Sequence, residues 1–271
     1  MKALIQDTKA IYRQAAAFAF AFAFPLLSLI PVLVEMAQHI VELQAGMYLS
    51  EAGAKRAETD PLRLQFGFAK TLALLLPGYW FVRFIALPDR NRSGRIEWPA
   101  FGLWLIVFAF AAVQMWWGLF GPSLTGLAGL QGQPASIAQI VLEVLSIAMA
   151  IYLTAWTVAW PLGTKAIGPL RSIAIMQGSF WHALGLMISS MLPLMALHYG
   201  LAIVAVMALP TGLDWAAMVV DSLVVGLLAL TLTGSSAYAA LHAARRQGID
   251  LLPPAKDTGL PVPAPGMPRE A

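Results

Sequence analysis

Residues 15–34 read AAAFAFAFAFPLLSLIPVLV. Alanine and phenylalanine alternate through the first half, which is the period of a half-buried strand. The whole segment nevertheless carries no charge, and its apolar run is continuous for the roughly 20 residues that a helix needs to cross a bilayer core of about 30 Å. Length outranks the alternation, so Ala15–Val34 is read as a transmembrane helix. Lys2, Lys9 and Arg13 precede it, which also fits a cleaved signal peptide. The run is longer than a usual signal core, however, and no A-x-A site directly follows it.

Composition extends that reading to the whole chain. Of 271 residues 59% are hydrophobic and 11% charged, with a mean hydropathy of +0.72. Soluble domains have about 45–50% apolar and about 25% charged residues. The deficit of charge is too large for a water-facing surface, so the lipid bilayer is the first expected partner. Cysteine is absent, which excludes disulfides, thiolate metal sites and cysteine nucleophiles. The net charge of +3 is small and its cations border apolar runs, so nucleic acid is not an expected partner.

Five further segments are of spanning length: Phe66–Leu87, Ala100–Phe120, Ile137–Trp160, Ala183–Leu209 and Trp215–Ala240. The expected fold class is therefore all-α, a polytopic bundle of about six transmembrane helices over residues 15–246. Residues 1–14 form a cytoplasmic or interfacial N-terminus, 35–65 a long outer loop, and 247–271 a disordered Pro-rich cytoplasmic tail. Lys and Arg in short loops set the orientation. They occur at Lys2, Lys9 and Arg13, at Arg90, Arg92 and Arg95, at Lys165 and Arg171, and at Arg245 and Arg246. Gly121–Ser136 and Pro210–Asp214 have none, and the exception, Glu35–Gln65 with Lys55, Arg56 and Arg63, is a long loop, where the rule is weak. Both termini are thus expected inside, in a bacterial-type cytoplasmic membrane. Gly185 with Ser189, and Ser222 with Gly226, have the four-residue spacing of helix contacts.

The loop 89–101, DRNRSGRIEWPAF, imitates a calcium loop. Asp89, Asn91, Ser93, Gly94 and Glu97 fall at suitable positions, but Ala100 stands where a bidentate Glu should close the shell, and three arginines intervene. It is read as a topology signal instead.

Ionisable residues within spans are costly and therefore candidates for function. Lys70, Glu143, His198 and Asp221 all fall in the outer half by depth. They could form one polar cluster, serving either as a neutralised packing contact or as a proton or solute site. Arg83, at the inner end of its span, is expected to snorkel to the headgroups. Glu35, His39 and Glu42 have i, i+4, i+7 spacing and share a helix face. That face would either be the wet side of an amphipathic extension or supply ligands to a divalent metal. No motif for an organic cofactor, a phosphate cradle or a catalytic nucleophile is present.

Residues 169–187, PLRSIAIMQGSFWHALGLM, carry Gly178, Phe180, Trp181 and His182 ahead of Leu184-Gly185-Leu186. This resembles YciC-like membrane proteins and the membrane domain attached to some glycerophosphodiester phosphodiesterases. His182 replaces the more usual basic residue there. The resemblance implies a helical inner-membrane domain and, without the phosphodiesterase barrel, carries no reaction over. The expected function is a non-catalytic component of the envelope or of a membrane complex, with itself or other membrane proteins as partners. The alternatives are a small-solute, metal or proton-coupled transporter and a metal-dependent intramembrane enzyme.

Overall fold

A computed structural model describes residues 2–20, 25–207 and 213–253. Among these the chain is all-helical, with six helices or helix pairs long and apolar enough to cross a membrane. The protein is a multi-pass membrane protein.

The first crossing departs from expectation. The stretch Ala15–Val34 is divided between α1 (Lys2–Phe20) and α2 (Pro25–Gln44), and the spanning window moves to Leu26–Gln44. Residues 35–44 therefore continue α2 rather than open a loop. Short α3 (Glu51–Ala57) follows, capped by Ser50, whose side chain accepts from Gly53 N. The second crossing comprises α4 (Pro61–Leu75) and α5 (Gly78–Ala86), separated at Pro77, which lacks the N–H that a helix interior requires. Asp60 caps α4 through Arg63 N, and Pro61 occupies its first turn.

After α6 (Arg90–Ser93), the third crossing is α7 (Trp98–Phe120). Then come α8 (Leu124–Leu127) and α9 (Gly132–Tyr152). The expected helix Ile137–Trp160 is interrupted at Leu153, where α10 (Thr154–Ala159) begins. The Ser172 hydroxyl, from α11 (Pro169–Met176), donates to Tyr152 O and accepts from Trp156 N, satisfying the groups that the break frees. The last crossings are α12 (Phe180–Met207) and α13 (Leu213–Arg246). The end of the expected span Ala183–Leu209 and most of the expected tail 247–271 lie outside the described residues. The start of that tail is docked: Thr164 donates to Leu251 O, and Leu251 is buried.

α13 is the axis of the bundle. Its 34 residues extend about 51 Å at 1.5 Å per residue, and α1 and α2 line it in succession. Ile11 of α1 lies against Gly234, and Val32 of α2 against Gly226. A Cβ at Gly226 would come within 2.5 Å of Val32 Cγ2, and one at Gly234 within 2.9 Å of Ile11 Cγ2. Small residues let backbones approach closely where burial in lipid supplies no hydrophobic drive. Gly185 likewise faces Leu4, and Ser189 meets Thr8 at 2.7 Å. By contrast, α7 and α9 present mostly exposed apolar side chains, as lipid-facing helices should.

Arg83 does not snorkel. It is 1% exposed, stacks on Tyr79, donates to Pro161 O and pairs with Glu97 at 2.8 Å. Arg92 binds the same carboxylate at 2.8 Å. Burial opposes the charge of Glu97, but the bonds from Arg92 and Arg83 outweigh it and hold its carboxyl below the usual range. Asp89 accepts from Asn91 N and Ser93 donates to Arg90 O. The calcium-like loop is thus a capped helical turn closed on Arg83.

Gly226→Leu should destabilise the detergent-solubilised protein by about 1–3 kcal/mol, the usual cost of overpacking. Gly200→Ala, where a Cβ meets nothing within 4 Å, should be neutral or slightly stabilising in the same thermal melts. Glu97→Gln strands the buried Arg83 and should cost about 2–3 kcal/mol near neutral pH, allowing for the partial exposure of Glu97. Because the folded pKa of Glu97 is depressed, the contribution is complete above its ordinary value of 4.5 and is lost as pH falls below it. The difference between wild type and variant should therefore shrink in acid.

Candidate functional site

α2 brings Glu35, Gln38, His39 and Glu42 to one inward face, packed against α4 and α13. All four are buried, so the expected wet acidic face is overturned. A helix of this position passes between neighbours rather than along water, and between Glu35 and Glu42 the exposed residue is Ile40. The inward face is completed from three directions. Lys70 and Arg63 come from α4, Asp221 from α13 and His198 from α12, while Tyr48 folds back from the turn after α2.

His39 is the hub. Its Nε2 lies 3.0 Å from Asp221 Oδ2 and 3.6 Å from Glu35 Oε1. Its Nδ1 lies 3.2 Å from Glu42 Oε2 and 2.9 Å from the Tyr48 oxygen. Tyr48 gives its own proton to Glu42 Oε2 at 2.6 Å. Burial, and then the neighbouring Glu42 charge, push the Tyr48 phenol far above its ordinary range, so it remains a donor. Both ring nitrogens of His39 consequently face acceptors only, and full satisfaction of the network puts a proton on each.

The charges agree with that assignment. Three carboxylates, Glu35, Glu42 and Asp221, meet two fixed cations. Lys70 Nζ lies 2.9 Å from Glu35 Oε2, and Arg63 Nε donates to Glu42 Oε1 at 3.0 Å. A proton on His39 supplies the third positive charge. Unbalanced charge at membrane depth costs several kcal/mol, so the count is a real constraint.

Asp221 bridges two imidazoles. His198 Nδ1 lies 2.7 Å from Oδ1 while His39 holds Oδ2. The His198 side chain, 16% exposed, is the more accessible of the two; His39 is at 6%. Beside them lies a recess lined by His39, Tyr48, Asp221 and apolar residues of α12 and α13, with about 10 Å³ of free space. That is room for one water or a bare ion, and far below the volume of an organic solute.

Of the residues singled out from sequence, Lys70, His198 and Asp221 are brought together with Glu35, His39 and Glu42. Glu143 is not: it is exposed on α9 and accepts from Gln139 one turn away. The partner of Lys70 is Glu35, not Glu143 or Asp221. Glu35, His39 and Asp221 each offer a metal-ligand atom within 4.8 Å of the others, but Glu42 drops out of that set and Lys70 already occupies Glu35. Sequence reasoning missed Tyr48, Gln38 and Arg63. Their only signal was proximity to the E-x-x-x-H-x-x-E face. No protein-family model, curated protein or solved structure matches this chain.

Lys70→Met alone leaves Glu35 buried without its cation and should destabilise by about 3–5 kcal/mol. Adding Glu35→Gln should recover much of that loss. Thermal or denaturant unfolding of the two single variants and the double variant measures the coupling.

Proposed function

We propose that the chain is a proton-handling membrane protein. In this reading His198, Asp221 and His39 hold and pass the proton that couples transport of a small ion or solute. The observation that carries it is the buried Asp221 carboxylate bridging two histidines of unequal exposure, in a network one proton short of neutrality without His39 protonated. Histidine is the side chain whose ordinary pKa lies nearest physiological pH, which suits a reversible proton site. The recess beside the pair admits a water or an ion but nothing larger. The cargo must therefore be a bare ion, or reach the site when helices move.

The cation-bearing short loops support a bacterial-type cytoplasmic membrane with both termini inside. An even number of crossings is consistent with that placement. The exposed faces of α7 and α9 leave room for lipid, a second copy or another membrane protein. The resemblance of residues 169–187 to YciC-like proteins is compatible with such a domain.

A second reading has its own support. Each carboxylate of the cluster is paired with a cation or a histidine, as in a lock that only fixes α2, α4, α12 and α13. The protein would then be a non-catalytic membrane-complex component. A metal-dependent enzyme is less well supported, because Lys70 sits on Glu35, a carboxylate that a divalent ion would need.

Proteoliposomes loaded with a pH-sensitive dye separate these readings. Wild type should dissipate an imposed pH gradient in the presence of permeant test cations. Asp221→Asn should reduce the rate at least tenfold, while Glu143→Gln leaves it unchanged. No flux from wild type, or equal flux from Asp221→Asn, would remove the proton reading and leave the lock.

A further inference from the structure

The opposite end of the α12–α13 hairpin carries another group of potential ligands. His182 lies in the first turn of α12 and His242 near the end of α13, and Asp7 comes from α1. His182 Nε2 is 3.1 Å from Asp7 Oδ2. The two imidazoles stack with centroids 3.9 Å apart and planes 22° from parallel. One ligand atom from each of the three residues lies within 4.8 Å of the others. The geometry points to a binding site for a divalent transition-metal ion of the zinc class, held by Asp7, His182 and His242.

Three features distinguish this group from the His39 cluster. First, its carboxylate is free of fixed cations. Among the described residues, the ion-pair partner of Asp7 is His182, with no Lys or Arg at that distance. Second, the nearby arginines bond to backbone carbonyls rather than to Asp7, although the charges of Arg245 and Arg246 still reach His242. Arg245 donates to Leu241 O, and Arg246 donates to Gln177 O and Gly178 O. Third, two imidazoles in face-to-face contact repel if both are charged, and neutral imidazole is the form that ligates metal.

Two nitrogens and one carboxylate oxygen suit zinc, iron, cobalt or nickel rather than magnesium or calcium, which prefer all-oxygen shells. Metal–ligand bonds of about 2.0–2.2 Å in a tetrahedron put ligand atoms about 3.3 Å apart. Reaching that value takes side-chain shifts of an ångström or so and the rotation of one imidazole out of the stack, because ring lone pairs lie in the ring planes and those planes are now nearly parallel. His182 and Asp7 are 17% and 21% exposed, so an ion can reach them from solvent. Three protein ligands leave a fourth position for water.

The consequence is mechanical. Of the three elements, only α1 is not already joined to another through a short connection, and the ion would tie it to the α12–α13 hairpin. His182 and His198 are 16 residues apart on α12, roughly 24 Å at helical rise. The metal site and the proton site would thus stand at the two ends of one helix pair.

The full chain, stripped with a chelator and dialysed in detergent against zinc, should retain about one equivalent per chain. Cobalt should give the visible absorption of a low-coordinate nitrogen–oxygen site. His242→Gln and Asp7→Asn should each weaken zinc binding at least a hundredfold and abolish the zinc-dependent rise in melting temperature. His39→Gln should bind zinc as wild type does. Should His242→Gln fail to fold, the near-isosteric Asp7→Asn and the wild-type cobalt spectrum still decide. No retained metal, retention in Asp7→Asn, or loss in a folded His39→Gln would each overturn the assignment.

Discussion

A carboxylate two turns inside a membrane helix cannot stand alone. Asp221 sits that far along the most buried helix of the bundle and is itself 2% exposed, so an unpaired charge there costs several kcal/mol. Its two oxygens are met from two different helices, His198 from α12 and His39 from α2. The pairing therefore fixes the rotation of both helices about α13. Once His39 is placed, Glu35 and Glu42 follow onto the same face by helical spacing. They in turn require Lys70 and Arg63, which fixes α4. One carboxylate thus sets the register of four helices, while close packing at Gly226 and Gly234 sets how near α2 and α1 come to α13.

The same logic operates at Arg83, with opposite sign. A guanidinium buried at the end of α5 is met by Glu97 and by the Pro161 carbonyl, which draws the α6–α7 loop and the end of α10 together. The loop whose residues imitate a calcium site is shaped by that demand. Its Glu97 is spent on two arginines, and Asp89 is spent on capping. The oxygens that a cation would want are already engaged by the chain itself.

Composition and run length made the fold class legible, since both report directly on the solvent that the chain must meet. Convergence was legible in part, because rise per residue is fixed: Lys70, His198 and Asp221 do meet in one cluster around His39. Azimuth was not. Glu143 has a suitable depth but points away from the bundle on α9, and a span that is apolar all round gives no signal of which side faces inward. The E-x-x-x-H-x-x-E face was visible as a face, but the sequence alone favoured water over protein as its neighbour. The helix break at Leu153 was hidden for a related reason. The hydroxyl that satisfies it, Ser172, lies 20 residues after the Tyr152 carbonyl it serves.

On the proton-handling reading, the charge count limits what the cluster can do. Moving the proton from His39 to His198 leaves the total charge unchanged, because Asp221 adjoins both rings. That step is therefore electrostatically cheap compared with losing the proton outright, which would leave three carboxylates facing two cations in a low-dielectric interior. A site built this way favours exchange of its proton for another cation over simple release. The adjoining recess is of the right size for that cation or for the water that carries the proton out. Coupling would then follow from neutrality itself: whichever positive charge occupies the site, the other is excluded until it leaves.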